Sequence, residues 1–205
     1  MSKNSAAPIH RDIIVFRSVA EIPASFGPAV AAIGNFDGVH LGHQQILSAV
    51  AADARSLGAK AVAITFEPHP EQFLRPAQAP RLLTPLDERL RLLGFTGIDA
   101  VLVLPFDAAL ATLPARDFVR TILVEALGLR SLHEGGNFRF GHNAEAGITE
   151  LMNLAADFAV NPFSEAFKRV DDAVGAKLVE VPFDGRLFPH FRVHRGGHEH
   201  RPIER

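Results

Sequence analysis

The sequence predicts an α/β protein built on a doubly wound, mostly parallel sheet. Short continuous runs of apolar residues alternate along the chain with longer segments whose apolar residues recur at helical spacing. Such alternation is typical of strands joined by crossover helices, which cover both faces of a parallel sheet. Glycine-rich loops follow the predicted strands at Ile33 and Leu132. Because ligands of these sheets bind beyond the carboxyl ends of the strands, the two loops are the first candidates for a site.

The predicted strands are short apolar runs, and the first of them is expected at an edge of the sheet. The next three consist almost wholly of apolar residues, which indicates burial on both faces. In chain order the predicted strands are Ile13–Phe16, Ala29–Ile33, Ala61–Phe66, Ala100–Leu104, Leu129–Leu132 and Lys177–Val181.

Four segments have the apolar spacing of amphipathic helices. Gly58 and Gly128 are the expected C-caps of the first and third, and Thr84 is the expected N-cap of the second, with Pro85 in its first turn. Four prolines between positions 68 and 80 predict a long non-helical loop. The other three helices are predicted over Gln45–Leu57, Pro114–Leu127 and Ile148–Phe158.

Composition excludes several kinds of chemistry. The 205 residues include no cysteine, tyrosine or tryptophan, which removes disulfides, thiolate metal sites, cysteine nucleophiles and phenolic acids or bases. The net charge of −2 gives no electrostatic footprint for nucleic acid. The longest apolar stretch, Ala100–Pro105, is too short to span a bilayer, and residues 1–17 lack a signal-peptide pattern. We therefore expect a cytoplasmic protein without nucleic-acid or membrane partners.

The segment from Gly34 to His43 carries the clearest functional signal. It joins a predicted buried strand to a helix and has glycines at positions 34, 38 and 42. Glycine lets the backbone approach a ligand closely, and the free amides at a helix N-terminus attract anions. His40 and His43 flank Gly42, and two imidazoles there suit a phosphate that gains charge during a reaction. The segment lacks the spacing of a P-loop or a dinucleotide-binding loop.

Residues 34–43, Gly-Asn-Phe-Asp-Gly-Val-His-Leu-Gly-His, resemble the H-x-G-H signature of the adenylyl- and cytidylyltransferase superfamily. The whole string closely resembles one branch, the FMN adenylyltransferase module of prokaryotic bifunctional FAD synthetases. Further segments agree with that branch in order and spacing, over about residues 13–154. They are Thr65–Pro70, Leu83–Val124 with Arg89, Phe106 and Phe118, and Gly136–Gly141.

The resemblance implies a Rossmann-like nucleotidyltransferase fold and transfer of AMP from ATP to FMN, giving FAD and pyrophosphate. The FMN phosphate attacks the α-phosphorus of ATP in line, and Mg²⁺ accompanies ATP. The implied catalytic residues are His40, His43 and Asn137. The implied ATP contacts are Gly34, Asn35, Phe36, Asp37, Gly38, His40, Gly42 and His43. The implied flavin contacts are Phe66, Pro68, His69, Pro70, Asn137, Phe138, Arg139 and Phe140, whereas the protein ligands of a metal are not indicated.

Several of these residues also have ordinary structural explanations. Phe138 and Phe140 alternate as in any short strand and are equally compatible with a place in the core. Arg139 between them is compatible with solvent exposure, and His69 with a rigid turn between two prolines. Asp37 is compatible with a side-chain cap of its own loop.

The chain departs from the family pattern in two places. Nothing matches the riboflavin kinase part of the bifunctional enzymes, so we expect no riboflavin phosphorylation and consider a separate riboflavin kinase as the source of FMN. The second superfamily signature, serine-serine-threonine followed two residues on by arginine, is absent, and the nearest material is Phe183–Arg195. A catalytically impaired relative that binds flavin or adenine nucleotide is therefore a second hypothesis. Transfer to another phosphorylated acceptor is a third.

We expect residues 1–184 to form the nucleotidyltransferase-like domain. Residues 185–205 are rich in arginine, histidine and glycine, and we expect them to form a poorly structured C-terminal tail. Solvation explains its histidines more simply than metal binding does. The oligomeric state is not indicated by the sequence.

Overall fold

The computed structural model describes residues 12–134 and 138–158. Five strands form one sheet in the order β1-β4-β3-β2-β5, and all of their pairings are parallel. The predicted parallel sheet and the edge position of the first strand are therefore confirmed. The sixth predicted strand and the tail lie outside the described residues. The strands are β1 (Ile14–Phe16), β2 (Ala29–Ile33), β3 (Lys60–Glu67), β4 (Ala100–Pro105) and β5 (Leu129–His133).

Six α-helical segments accompany this sheet in the described part of the chain. They are α1 (Leu41–Leu57), α2 (Pro70–Leu74), α3 (Leu86–Leu93), α4 (Ala108–Ala111), α5 (Ala115–Asp117, continued as a π-helix over Phe118–Ala126) and α6 (Ile148–Asp157). Among residues 12–134 and 138–158, none of the helices has the length and hydrophobicity needed to cross a membrane.

Helices pack on both faces of the sheet. Successive residues of a strand point to opposite sides, so an apolar strand contributes side chains to both faces. Val30 and Ala32 of β2 belong to one hydrophobic core, together with residues of α1 and α3. Ala29 and Ala31 belong to the other core, together with residues of the π-helix and α6. This two-sided burial explains why the predicted strands read as continuous apolar runs.

The direction in which the chain adds strands to the sheet changes at β2. From β2 the chain moves through β3 to β4 on one side, and it then crosses to β5 on the other side of β2. The carboxyl ends of β2 and β5 are therefore neighbours, with Ala32 paired to His133. An open parallel sheet binds ligands at such a switch point. Both glycine-rich loops begin at this place.

The start of the first helix was predicted too late. It begins at Leu41 rather than Gln45, and His40 is its N-cap, whose side chain accepts a hydrogen bond from the amide of His43. Histidine is not among the usual capping residues, which explains why the sequence pattern missed it. The predicted C-cap Gly58 is confirmed, with a positive φ of 60°. The C-cap of the third predicted helix is Leu127, and Gly128, with a φ of 57°, directly follows it.

Two other local predictions are wrong. The N-cap of α3 is Pro85, whereas the hydroxyl of Thr84 bonds to a different loop. The proline-rich segment does contain helix, because Pro70 opens the short helix α2. Proline is well suited to a first helical turn, where its missing N–H would have no partner in any case.

Candidate functional site

The loop between β2 and α1 has a strained backbone. Phe36 and Val39 have positive φ values of 48° and 39°, and Gly38 between them has one of 67°. The left-handed region is unfavourable for other residues than glycine, above all for β-branched ones, and costs about 1–3 kcal/mol. The side chains of Phe36 and Val39 are buried beneath the loop, and their packing holds this shape. Strain of this kind, at the switch point of the sheet, marks the loop as a candidate site.

Hydrogen bonds fix the middle of the same loop to the segment before α3. The Asp37 carboxylate accepts bonds from the amides of Leu83 and Thr84, at 2.8 and 2.9 Å, and from the Thr84 hydroxyl at 3.0 Å. That hydroxyl in turn accepts a bond of 3.0 Å from the amide of Gly38. Partial burial favours the neutral acid, but the bonds from Leu83 and Thr84 outweigh it and lower the pKa of Asp37. Asp37 therefore stabilises its loop through a distant part of the chain.

The structure brings His40 and His43 together at the N-terminus of α1. Their rings are stacked, with centroids 3.6 Å apart and 20° between the planes. Nδ1 of His40 accepts a bond of 3.4 Å from the amide of His43, so a neutral His40 ring carries its proton on Nε2. The Phe36 ring supports His43 in an edge-to-face arrangement, at a centroid distance of 5.2 Å.

His43 has an electrostatic environment suited to an anionic ligand. Burial and the neighbouring His40 lower the pKa of His43 to about 4, against an opposing effect of Asp37. The His43 ring is therefore neutral at pH 7. Its Nδ1 atom is buried without a hydrogen-bond partner among the described residues, which is unfavourable. A ligand with negatively charged oxygens beside the ring would favour its protonation.

Glycines in this loop make room for its own rings. A Cβ atom at Gly42 would lie 3.3 Å from Cε1 and 3.4 Å from Nδ1 of His40. A Cβ atom at Gly34 would lie 3.2 Å from two atoms of the Phe36 ring. The sequence predicted close approach of a ligand to these glycines, and the structure adds close approach of the loop's aromatic side chains.

The first residues of the loop are tied to β3 and α3 by the carbonyl oxygen of Asn35. It accepts a hydrogen bond of 3.2 Å from the Thr65 hydroxyl and one of 3.0 Å from Nη1 of Arg89. The Nη2 atom of Arg89 donates to the Phe66 carbonyl at 3.3 Å and to the Glu67 carboxylate at 2.7 Å. The Arg89 side chain is fully buried, and these bonds offset part of the cost of burying its charge, although its Nε has no partner among the described residues.

A cavity of about 540 Å³ opens at the end of β2. Ile33, the last residue of β2 and the residue before Gly34, is part of its wall, whereas residues 34–43 of the histidine loop are not. The predicted flavin contacts in the wall are Phe66, Pro70, Phe138, Arg139 and Phe140. The other wall residues are Glu71, Leu74, Arg75, Phe106, Leu110, Ala111, Leu113, Phe118, Gly141, Asn143 and Ala144.

Phenylalanine rings give the cavity flat apolar surfaces. Phe138 and Phe140 are stacked at a centroid distance of 5.3 Å with 11° between their planes. Phe66 and Phe106 meet edge to face at 5.7 Å. Phe140 is buried in the core, which confirms the structural explanation, and it also lines the cavity. Its role as a flavin contact stays a prediction. Such walls suit a planar aromatic ligand.

Two of the predicted flavin contacts that the structure describes, His69 and Pro68, are not in this wall. His69 is buried, and its Nδ1 accepts a bond of 3.1 Å from the amide of Glu71, so it caps α2. Pro68 precedes it and is absent from the wall as well. Asn137, a predicted flavin contact and also a predicted catalytic residue, lies outside the described residues.

Glu134 is a candidate that the sequence analysis missed. It directly follows β5, is only 3% exposed, and accepts a hydrogen bond from the amide of Ile33 at the end of β2. Burial raises the pKa of Glu134 well above its usual value, against the opposing effect of the bond from Ile33. A carboxyl group at the end of a predicted strand and directly before a glycine-rich loop was the available signal. The side chain joins the two strand ends from which both loops start.

The side chain of His133, next to Glu134, is paired with another side chain of the fold. Its Nε2 lies 2.9 Å from the carboxylate of Asp53 on α1. Burial lowers the pKa of His133, against the opposing effect of Asp53. Among residues 12–134 and 138–158, no three or more carboxylates and imidazoles are grouped to hold a metal ion.

Comparison with known proteins gives one consistent family. A family model for FAD synthetase matches residues 22–173 of this chain. A bifunctional riboflavin kinase/FMN adenylyltransferase of Buchnera aphidicola is 32% identical over 72% of this chain and 47% of its own length. Proteins with the same description from Pseudomonas fluorescens and Escherichia coli K12 are 45% and 36% identical, over 55% and 63% of this chain and 36% and 41% of theirs. The chain thus spans less than half the length of these relatives.

One solved structure supports the fold. It is a macrolide-efflux protein from Streptococcus pneumoniae, with a TM-score of 0.58 and 25% sequence identity. The similarity covers 69% of this chain and 46% of that one.

Proposed function

This chain belongs to the FAD synthetase family, and we propose that it transfers the adenylyl group of ATP to the phosphate of FMN, producing FAD and pyrophosphate. The observation that supports the proposal best is the position of the stacked pair His40 and His43. The pair begins a helix at the switch point, and the aromatic-walled cavity reaches Ile33, the strand residue directly before the same loop. Each half of the site thus suits one substrate: imidazoles and amides for a triphosphate, and flat apolar walls for an isoalloxazine ring.

In the proposed reaction, an oxygen of the FMN phosphate forms a bond to the α-phosphorus of ATP. The bond from that phosphorus to the bridging oxygen of the β-phosphate breaks, and pyrophosphate leaves with the electron pair. No covalent enzyme intermediate is needed, so the protein contributes by positioning the substrates and stabilising charge. Mg²⁺ enters with ATP and offsets part of the triphosphate charge.

His40 and His43 are the proposed catalytic residues. Nε2 of His40 can donate a hydrogen bond to a phosphate oxygen, because Nδ1 of the same ring already accepts one from the His43 amide. His43 is neutral without ligand, and the approach of the triphosphate favours its protonation. The site would thereby gain positive charge where the reacting phosphorus gains negative charge. On the resemblance alone, Asn137 is proposed to contact the reacting phosphates.

The proposal concerns adenylyl transfer only. The name of the relatives includes a riboflavin kinase, and the matched residues cover less than half of their length. We propose that the 205-residue chain receives FMN from a riboflavin kinase activity outside these residues and acts in the cytoplasm.

The test is formation of FAD, measured by chromatography after incubation of the purified chain with ATP, Mg²⁺ and FMN. We expect FAD with the wild type and none with the double variant His40→Ala/His43→Ala. His133→Gln is the matched control, because it replaces a buried histidine that contacts Asp53 rather than the loop. FMN binding without FAD formation by the wild type would contradict the proposal and favour a binding protein. FAD formation by the double variant would contradict the catalytic role of the histidines.

A further inference from the structure

Arg89 connects the two halves of the site through a single guanidinium group. Its Nη1 donates to the carbonyl of Asn35 in the histidine loop at 3.0 Å. Its Nη2 donates to Phe66 and Glu67 at the end of β3, at 3.3 and 2.7 Å. Phe66 is in the wall of the cavity, so one planar group spans the loop proposed for ATP and the wall proposed for FMN.

The contacts of Arg89 are specific to a guanidinium. Its side chain is fully buried, whereas 39% of the Glu67 side chain is exposed. A planar fork with fixed nitrogen positions can hold two partners at a set separation, which a single ammonium cannot do. Arg89 also contributes to lowering the pKa of Asp37, after the hydrogen bonds from Leu83 and Thr84. Both its charge and its geometry therefore act on the histidine loop.

We propose that Arg89 is a positioning residue for the transfer: it sets the separation between the histidine loop and the flavin-side wall, so that the FMN phosphate meets the α-phosphorus of ATP in line. This inference rests on the proposed function. In-line transfer depends steeply on the distance and angle between the reacting atoms, and a misplacement of about 1 Å can reduce the rate about 100-fold. Each half of the site can still bind its own substrate when the link between them is altered.

Arg91 on the same helix provides a matched control. It pairs with Glu88 through two hydrogen bonds of 2.6 and 2.7 Å, and both side chains are partly exposed. The hydrogen bonds of Arg91 remain within α3, so Arg91→Lys changes the same chemical group on the same helix without altering the link between the half-sites.

The experiment compares Arg89→Lys, Arg91→Lys and the wild type. It measures kcat for FAD formation, the Kd of FMN by flavin fluorescence, the Kd of ATP by calorimetry, and the Tm. For Arg89→Lys we expect kcat to fall about 10- to 100-fold while each Kd changes less than about threefold. Arg91→Lys should resemble the wild type. A merely structural role would lower the Tm, with kcat of the folded protein unchanged.

A folded Arg89→Lys protein with the wild-type kcat would overturn the inference, and so would a loss explained wholly by weaker binding of one substrate. If Arg89→Lys does not fold, Glu67→Gln decides the question, because it weakens one arm of the link at a partly exposed side chain. A lower kcat with unchanged Kd values supports the inference, and an unchanged kcat overturns it. If the wild type makes no FAD, both the proposed function and this inference are overturned. The wild type is measured first, so this result is distinguished from a failure of the inference alone.

Discussion

Gly42 leaves room for the ring of His40, since a Cβ atom at position 42 would lie 3.3 Å from Cε1 of that ring. The ring needs this space in order to stack on His43 at 3.6 Å. The glycine of the H-x-G-H string is thus explained by packing between the histidines as well as by access of a ligand. The stacked arrangement therefore requires a residue without a Cβ atom at position 42.

Gly42→Ala should lower activity without lowering stability. The added methyl group would displace the His40 ring, so we expect kcat for FAD formation to fall about tenfold or more. Alanine is favoured over glycine in a helix by about 0.5–1 kcal/mol, which offsets the weaker capping bond from the displaced His40 ring to the His43 amide, so the Tm should not fall appreciably. Steady-state kinetics and thermal unfolding of the same preparation measure both. A wild-type kcat in Gly42→Ala would show that the stacking of the two rings is unimportant.

The stability of the protein should depend on pH through His43. The pKa of His43 is lowered from its ordinary value of 6.5 to about 4 in the folded state. The unfolded chain, in which the ordinary value applies, therefore binds the proton more readily. Acidification from pH 7.5 to 5 should therefore remove about 2 kcal/mol of the free energy of unfolding through this residue. His43→Asn should lose correspondingly less stability over that range in urea denaturation.

The control for this effect is His142→Asn, which replaces an exposed histidine. Its stability should follow the pH dependence of the wild type. If His43→Asn also follows the wild-type curve between pH 7.5 and 5, then His43 is not held neutral by its surroundings.

The sequence predicted those parts of the molecule that depend on local patterns. The run of apolar residues Ala29–Ile33 gives the bounds of β2 without error, because burial on both faces requires apolar side chains throughout. The glycines and histidines of the loop were identified because their types and spacing are themselves the signal. The cavity wall was predicted in part, through the phenylalanines at 66, 138 and 140.

The contacts that fix the site were not predictable from local patterns. Asp37 bonds to Thr84, which is 47 residues away, and Arg89 bonds to Asn35 over 54 residues. A charged residue in an amphipathic helix is expected in solvent. However, Arg89 lies at helical spacing from Leu86 and Leu93 and is buried on α3. Only the assembled fold shows which distant carbonyl groups make that burial favourable.

Phe138→Ala should weaken FMN binding selectively. Phe138 is in the cavity wall and stacks on Phe140 at 5.3 Å. Loss of one aromatic surface corresponds to about 1.4 kcal/mol, or about a tenfold higher KM for FMN. The KM for ATP should not change, because the histidine loop is untouched. Phe158→Ala is the matched control, since Phe158 contacts Arg116 and is absent from the wall. Equal effects of the two variants on the KM for FMN would argue against a flavin site in this cavity.

Glu134→Gln should stabilise the protein in alkaline solution. The pKa of Glu134 is raised by burial, so its contribution to stability is complete below the reference pKa of 4.5 and is lost as the pH rises toward its folded value. Glutamine cannot ionise, and its side-chain oxygen can still accept the bond from Ile33. The variant should therefore exceed the wild type in free energy of unfolding at pH 8 and lose that advantage near pH 4.

Glu134→Leu, which leaves the Ile33 amide without its acceptor, should be less stable by about 1–3 kcal/mol. Urea denaturation at the two pH values measures these differences, and a glutamine variant less stable than the wild type at pH 8 would mean that the ionised carboxylate is the form the fold requires.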